Sequence, residues 1–351
     1  MTAVYVIVAI LIFGLLIMIH EFGHFSVARL CGVHIDEFSI GMGPKLLQRK
    51  TKKQGTLFSL RALPIGGYVS MKGENEQEDA PDSFSTKRVW QRMAIVVAGA
   101  AMNLLLGLLI VFVIVCSTPL HASTTVHHFN EDATSCAPGG LQEGDIILKV
   151  GTVRVHTGDE LHYEILNQGS KPIDMTVQRD GQKLLLEQIV FPNVEESGAV
   201  FGDMDFFVVG IDDPTLGQRL SMTWHRSISL VKMVWDSLYN LVSGRYSMSA
   251  ISSPIGVTAV VKDVISESGW SPREIVQYVL HITSLITVNL GVFNLLPFPA
   301  LDGGRLVFLA FEGITRKRIS EEIEGRIHFI GIVLLMLLML FVVGKDIIAL
   351  F

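Results

Sequence analysis

Four apolar stretches dominate the pattern of hydrophobic and polar positions along the chain. The apolar core of each stretch carries no lysine, arginine, aspartate or glutamate, and a helix that crosses a bilayer needs about 20 mostly apolar residues. The pattern therefore predicts a mainly α-helical integral membrane protein with four transmembrane helices. Their predicted bounds are about 3–25, 93–117, 275–298 and 327–348.

The loop between the first two spans predicts β-structure. Residues 38–73 form two extended runs that are broken near Pro64 and the pair Gly66 and Gly67, a pattern typical of strands joined by a turn. We expect a β-hairpin loop here.

The long segment between the second and third spans predicts a soluble α+β domain over residues 122–192. Thr157 followed by Glu160 has the spacing of a helix capping box, and Asp180-Gly181 separates two strand-like runs. Residues 193–272 predict further strands and an amphipathic helix, which either packs on this domain or lies at the membrane surface. The apolar stretch 252–264 is too short to span a membrane and predicts an interface or core position.

Composition and charge agree with a membrane protein and orient it. Hydrophobic residues make up 49% of the 351 positions and charged residues only 18%. Basic residues outnumber acidic ones in 26–92, whereas acidic residues outnumber basic ones in 118–274, so the first segment is predicted to be cytoplasmic and the second to lie outside. The three cysteines form no CxxC pair, so they predict neither a disulfide framework nor a thiolate zinc site.

A candidate metal site ends the first apolar run in the sequence HEFGH. His20 and His24 are four residues apart, so on a helix both imidazoles lie on one face, about 40° apart, and can bind one ion. Glu21 lies beside that face and can act as a general acid/base without being a ligand. The alternative is a pair of stray polar residues at the helix end, but ionisable groups at membrane depth are costly and usually functional.

A catalytic zinc site normally has three protein ligands, so a third ligand must lie elsewhere in the chain. Asp302 is the best candidate because it is the first acid after a long uncharged stretch; His281 and His328 are rivals. For both rivals a helix contact or an interfacial position is the preferred alternative. The remaining histidines in loop-like segments predict solvated side chains: His34, His121, His127 and His128.

The two motifs, HExxH in the first span and NLLPFPALDGG at residues 294–304, together resemble the site-2 protease family of intramembrane zinc metalloproteases. Within it the chain is most similar to the bacterial branch of regulator of sigma-E proteases (RseP). The resemblance implies that one Zn²⁺ per chain is bound by His20, His24 and Asp302, and that Glu21 is the catalytic residue. It also implies residence in the bacterial cytoplasmic (inner) membrane, with the active site near the cytoplasmic face.

The resemblance further implies a substrate-binding surface beside the metal. Asn294 would contact the substrate, although a helix–helix hydrogen bond is an alternative. Asn103 stands in a family motif that usually reads Gly-Pro-x-x-Asn, but here Ala100 replaces the proline; close helix packing is an equal alternative for this stretch. The predicted substrate-binding set is completed by Pro297, Pro299, Gly66 and Gly67. The two glycines belong to a hairpin that the resemblance places back in the membrane; the alternative is an ordinary cytoplasmic hairpin.

The domain at 122–192 resembles a PDZ domain, and GGLQEGDIILKV carries the resemblance. Such a domain would bind peptide termini or extended segments by strand addition, would exclude bulky substrates, or would only stabilise the protein. The predicted function is intramembrane cleavage of single-pass membrane proteins, such as pre-trimmed anti-sigma factors or signal peptide remnants. The alternatives are a non-catalytic PDZ-bearing membrane scaffold with a structural or absent metal, and, less favoured, a zinc transporter.

Overall fold

The computed structural model describes residues 2–51, 55–74, 78–196, 199–245 and 269–349. It divides into two compact units, residues 1–107 with 252–351 and residues 108–251, called unit 1 and unit 2 below. The helices are α1 (Thr2–Leu30), α2 (Val89–Ser117), α3 (Gly158–Gln168), α4 (Leu216–Val242), α5 (Pro272–Asn294), α6 (Asp302–Thr315) and α7 (Glu321–Ala349). The strands are β1 (Ile35–Lys50), β2 (Leu57–Met71), β3 (Leu120–Phe129), β4 (Ile146–Val150), β5 (Val153–Arg154), β6 (Ile173–Arg179), β7 (Gln182–Ile189), β8 (Asn193–Glu196), β9 (Ala199–Gly202) and β10 (Phe206–Asp212).

Four of these helices, α1, α2, α5 and α7, are long and apolar enough to cross a membrane. They confirm the prediction of four membrane helices. Helices α1, α2 and α7 are longer than predicted, whereas α5 begins three residues earlier and ends four residues earlier than predicted. The earlier start of α5 has a clear cause, because Ser271 caps the helix, Glu274 completes the capping box and Pro272 occupies the first turn. In α7 most large apolar side chains between Phe329 and Phe341 are exposed, which fits a surface that faces lipid.

The hairpin predicted between the first two spans is present in unit 1 as β1 and β2, but its pairing is more complex than a simple hairpin. Residues 35–40 of β1 pair with 67–71 of β2 on one side and with 57–60 on the other, and 57–60 pair in turn with 47–50. Both long strands therefore bend in the middle, and they form four neighbouring segments. Residues 67–71 lie at one edge of this small sheet.

Unit 1 has its core where α1 and α2 meet the hairpin. Phe25 of α1 makes edge-to-face ring contacts with Phe38 of β1 and Phe58 of β2, and Ile95 of α2 is fully buried in the same cluster. Apolar packing thus fixes the hairpin against the part of α1 that carries HEFGH.

The connection between α5 and α6 folds tightly against the first turn of α6. A side chain at Gly303 would lie 2.0 Å from the Leu296 carbonyl oxygen, and one at Gly304 would lie 2.5 Å from that of Phe298. Only glycine allows so close a backbone approach. The two glycines after Asp302 therefore let the loop return over the start of α6.

Unit 2 contains a sheet of strand order β10-β3-β4-β6-β7, with β5 paired to β4. Asp180 and Gly181 both have positive φ in the turn between β6 and β7, which confirms the predicted hairpin. Thr157 caps α3 by accepting a hydrogen bond from the Glu160 N–H. The sheet takes in β10, which lies beyond the predicted domain range of 122–192, and the boundaries of that domain stay a prediction.

The predicted amphipathic helix is α4, and its side chains meet α3 through polar contacts. Lys232 pairs with Glu164, and Tyr163 donates a hydrogen bond of 3.0 Å to Asp236. Trp224, Trp235 and Tyr239 are at least half exposed on α4, so a membrane-facing surface is compatible with this packing. The apolar stretch 252–264 lies outside the described residues.

Candidate metal centre

Two histidines of α1 and the first residue of α6 bring three ligand atoms together in unit 1. His20 Nε2 and His24 Nε2 are 3.2 Å apart, and they lie 3.1 and 3.2 Å from Asp302 Oδ2. Both histidines are less than 10% exposed. This trio is one of two groups of histidine and carboxylate side chains with metal-binding spacing among the described residues.

The hydrogen bond at His24 leaves a lone pair, rather than a proton, at the centre of the trio. His24 Nδ1 lies 2.8 Å from the Ile95 carbonyl oxygen, and because a carbonyl only accepts, Nδ1 carries the proton and Nε2 is unprotonated in the neutral ring. Asp302 Oδ2 is buried and has no hydrogen-bond donor within the described part of the chain. An electron-rich point of this kind is satisfied by a cation, and two imidazoles with one carboxylate are a donor set of catalytic zinc sites.

Helix α2 packs directly behind the two histidines. A Cβ atom at Gly99 would lie 2.4 Å from His24 Nε2 and 2.8 Å from His20 Cε1, so only a glycine lets α2 approach the ligands here. This close packing agrees with the small-residue alternative for Gly99 to Ala101. Gly99 therefore shapes the centre although it supplies no ligand.

Asn103 is fully buried one turn further along α2. Its amide nitrogen lies 3.3 Å from His20 Nδ1, while its Oδ1 has no hydrogen-bond partner within the described residues. A ring that binds metal through Nε2 carries its proton on Nδ1, and the matching orientation of the amide then presents Oδ1 to that proton. Asn103 thus contacts His20, a predicted metal ligand; its predicted contact with substrate stays a prediction.

Asp302 is positioned by the loop before it. Ala300 has a φ of 78°, an uncommon conformation for a residue with a side chain, and its N–H donates a hydrogen bond of 3.0 Å to His328 Nδ1. Arg305, one turn into α6, pairs with Glu74 just after β2. The loop and the hairpin both hold the start of α6.

Glu21 lies beside the trio and against the edge of the hairpin. A Cβ atom at Gly67 would be 3.6 Å from Glu21 Cγ, and the Val69 backbone amide interacts with the Glu21 carboxylate. Glu21 is half-buried and is not one of the converging ligands. Its position, beside the trio and alongside the edge segment 67–71, fits the predicted role of a general acid/base.

A cavity of 380 Å³ with several charged side chains in its walls opens next to Asp302. Glu74, Arg305, Glu324 and His328 contribute to its walls. A cavity with charged walls beside Asp302 has room and polar partners for water within unit 1.

The other predicted residues occupy varied positions. Asn294 ends α5 and is half-buried, Pro297 and Pro299 lie in the loop before Asp302, and Gly66 has a positive φ beside Met42. Of the two rival ligands, His281 is exposed and His328 contacts the loop instead of the trio. The predicted solvated position of His121 is wrong, since that side chain is 2% exposed; it lies at the start of β3, which sequence periodicity alone did not identify.

Comparison with known proteins gives a match over nearly the whole chain. The family model "Peptidase family M50" matches residues 8–338. A protein of Clostridium acetobutylicum named as a zinc metalloprotease candidate is 34% identical over 343 residues, which covers 98% of this chain and 97% of that protein. The zinc metalloprotease RasP of Shouchella clausii is 29% identical, with coverages of 97% and 98%, and the regulator of sigma-W protease RasP of Bacillus subtilis is 27% identical, with coverages of 99% and 99%.

Proposed function

Because the chain belongs to peptidase family M50 and is a zinc metalloprotease, we propose that it hydrolyses peptide bonds within the transmembrane segments of single-pass membrane proteins. The observation that carries the proposal is that His20, His24 and Asp302 converge. Two of them belong to α1, which is long and apolar enough to span a membrane. A hydrolytic site built at such a helix suits a substrate bond that is itself in the membrane.

The roles of the residues follow from their positions. His20, His24 and Asp302 would hold the zinc ion, which when bound supplies Lewis-acid chemistry that activates water and polarises a carbonyl. Glu21 would accept a proton during attack on the scissile carbonyl and return it to the leaving nitrogen. The Ile95 carbonyl and Asn103 would fix the orientation of the two imidazoles.

The edge segment 67–71 is proposed to hold the substrate in an extended form. A transmembrane helix satisfies its own backbone hydrogen bonds, so its amides are hidden until it unwinds. Segment 67–71 pairs with 35–40 on one side only in the described sheet, and Gly67 lies next to Glu21. Strand addition at this edge would place an unwound segment beside the catalytic residue.

The substrate class rests on relatives and on charge. One relative is named a regulator of sigma-W protease, which supports anti-sigma factors as candidate substrates, with signal peptide remnants as the second class. The acidic composition of 118–274 supports an orientation in which this segment faces outside the cytoplasmic membrane. There, a PDZ-like unit 2 would bind extended peptide at a sheet edge or exclude bulky substrates. The non-catalytic scaffold has no support from the relatives, which are named as proteases.

The direct test replaces Glu21 by Gln, which has nearly the same shape but cannot take a proton. The purified chain in detergent is incubated with a tagged single-span membrane protein, and the cut is located by mass spectrometry. We expect cleavage within the span to fall by about 10²–10⁴-fold, while zinc content stays at the wild-type level because Glu21 is not a ligand.

Glu187→Gln, at an exposed position of β7, is the matched control and should cleave normally. Two results would contradict the proposal: full cleavage by the Glu21→Gln variant, or cuts that fall only in soluble loops of the substrate. The second result would leave the metalloprotease assignment intact and remove only the intramembrane part.

A further inference from the structure

A second cluster of two histidines and a carboxylate lies in unit 2, between α3 and α4. His156 precedes the capping residue of α3, Glu160 lies in the first turn of α3, and His225 lies on α4. His156 Nδ1 is 3.4 Å from Glu160 Oε2, and His225 Nδ1 is 3.9 Å from Glu160 Oε1. The ligand atoms of the three side chains all lie within 4.8 Å of one another.

The carboxylate of this cluster is nearly buried beside two histidines. Glu160 is 9% exposed, and it accepts a hydrogen bond of 2.6 Å from the His156 N–H. Among the described residues no lysine or arginine forms an ion pair with it, although the neighbouring acids of the α3–α4 interface are so paired, Asp159 with Arg226 and Glu164 with Lys232.

A buried carboxylate without a cation is costly. His156 and His225 bring ring nitrogens close to the same carboxylate. The cluster therefore has the ligands of a metal site and the charge deficit that a divalent cation would fill.

We propose that His156, Glu160 and His225 bind a divalent transition-metal ion of the zinc class. Two imidazole nitrogens and one carboxylate oxygen suit zinc, and water can complete a tetrahedron on the exposed side. The two rings are stacked, with centroids 3.8 Å apart and planes 14° from parallel, so at least one ring turns about its Cβ–Cγ bond to aim its lone pair. Both side chains have room to turn, as they are 43% and 26% exposed.

An ion at this position would join two elements that otherwise meet through polar pairs. His156 and Glu160 belong to the start of α3, and His225 belongs to the first half of α4. Ion pairs between partly exposed side chains contribute little and weaken with salt. Metal coordination would hold α4 against α3 independently of ionic strength. The contact between this amphipathic helix and α3 would then depend on the concentration of free metal.

The test measures metal binding by the full chain in detergent micelles, with zinc alone as the probe. The protein is stripped with a chelator and dialysed against zinc, and bound metal is counted by mass spectrometry. We expect about two ions per chain for the wild type and about one for His156→Ala, His225→Ala and Glu160→Gln. Glu160→Gln keeps an acceptor for the His156 N–H, so it removes the charge without removing this hydrogen bond at the N-terminus of α3.

Two controls locate the second ion. His24→Ala removes the ion of the trio and should leave the other, whose binding should still raise the unfolding midpoint. Replacement of both His127 and His128 by alanine removes an exposed histidine pair of β3 in the same unit and should leave both ions. The proposal is overturned if the wild type binds only the ion that His24→Ala removes, if the three cluster variants keep two ions, or if the β3 double variant loses one.

Discussion

Two clusters in this molecule share the same donor set, two imidazoles and one carboxylate, but differ in how their atoms are held. In unit 1, His20, His24 and Asp302 are fixed by a backbone carbonyl, a buried amide and a tightly folded loop. In unit 2, His156 and His225 are stacked, partly exposed rings around Glu160. Pre-organised ligands beside a proton-exchanging glutamate suit catalysis, whereas adaptable ligands between two helices suit a structural link.

The largest effect that tests this contrast is expected from Gly99→Ala. The new Cβ atom would lie 2.4 Å from His24 Nε2, so the ligand must move or α2 must withdraw. We expect zinc affinity of the trio and cleavage to fall by at least about 100-fold, measured by competition with a chromogenic chelator and by substrate cleavage.

Gly344→Ala is the matched control, because nothing lies within 4 Å of a Cβ atom there; it should bind zinc and cleave as the wild type does. Unchanged zinc affinity in Gly99→Ala would show that the trio tolerates displacement, and the claimed difference in rigidity between the two clusters would disappear.

The next effect concerns Asn103, where two roles give different kinetics. As an amide that orients His20, its replacement by alanine should lower zinc affinity by about 10–100-fold and leave KM nearly unchanged when zinc is saturating. If Asn103 instead contacts the substrate, its replacement by alanine should raise KM and leave the zinc affinity unchanged. The buried contact with His20 favours the first outcome. Asn294→Ala, at the end of α5, is the parallel variant and should affect KM alone.

The sequence was most informative where chemistry depends on spacing. His20, Glu21 and His24 belong to one helix turn, and Asp302 stands out as an acid at the end of an uncharged stretch, so these residues could be named before the fold was known. The four apolar spans could also be predicted from the sequence, because a helix that crosses a bilayer must be long and hydrophobic.

Features that depend on tertiary contacts could not be predicted from the sequence. The Ile95 carbonyl that orients His24 has no side-chain signature, since every residue has a carbonyl. Residues 35–40 pair on two sides because the strands bend, and alternation does not specify such a register. The approach of His225 to Glu160 also escaped prediction, because the two residues lie far apart in the sequence and share no local motif.

A third, smaller effect contrasts Glu160 with a carboxylate that has its cations. Partial burial alone would raise the pKa of Glu37, but hydrogen bonds from Ser59, Arg61 and Lys45 outweigh it and lower the pKa from 4.5 to about 2. The charged form therefore stabilises the hairpin above about pH 4.5, and this stability is lost as the pH falls through about 2. We expect Glu37→Gln to lower the free energy of unfolding by about 1–2 kcal/mol at neutral pH, measured by denaturant titration in chelator.

The difference between Glu37→Gln and the wild type should shrink towards zero as the pH falls below about 2, where the native carboxyl itself becomes protonated. A difference of constant size down to that pH would mean that packing, and not charge, accounts for the role of Glu37.

The smallest effect is expected from His156→Ala without metal. Partly exposed pairs contribute about 0–1 kcal/mol, so in the presence of a chelator the variant should unfold within about 0.5 kcal/mol of the wild type. With free zinc at a hundred times the dissociation constant, a bound ion adds about 2.7 kcal/mol to the wild type, and the gap between the two proteins should widen by that amount. The measurement is best made in the His24→Ala background, so that only the unit 2 cluster responds to zinc. A gap that stays constant as zinc is added would mean that His156 acts only through its contacts with Glu160 and His225. The two clusters would then have the same donor set, but only the trio would bind a metal ion.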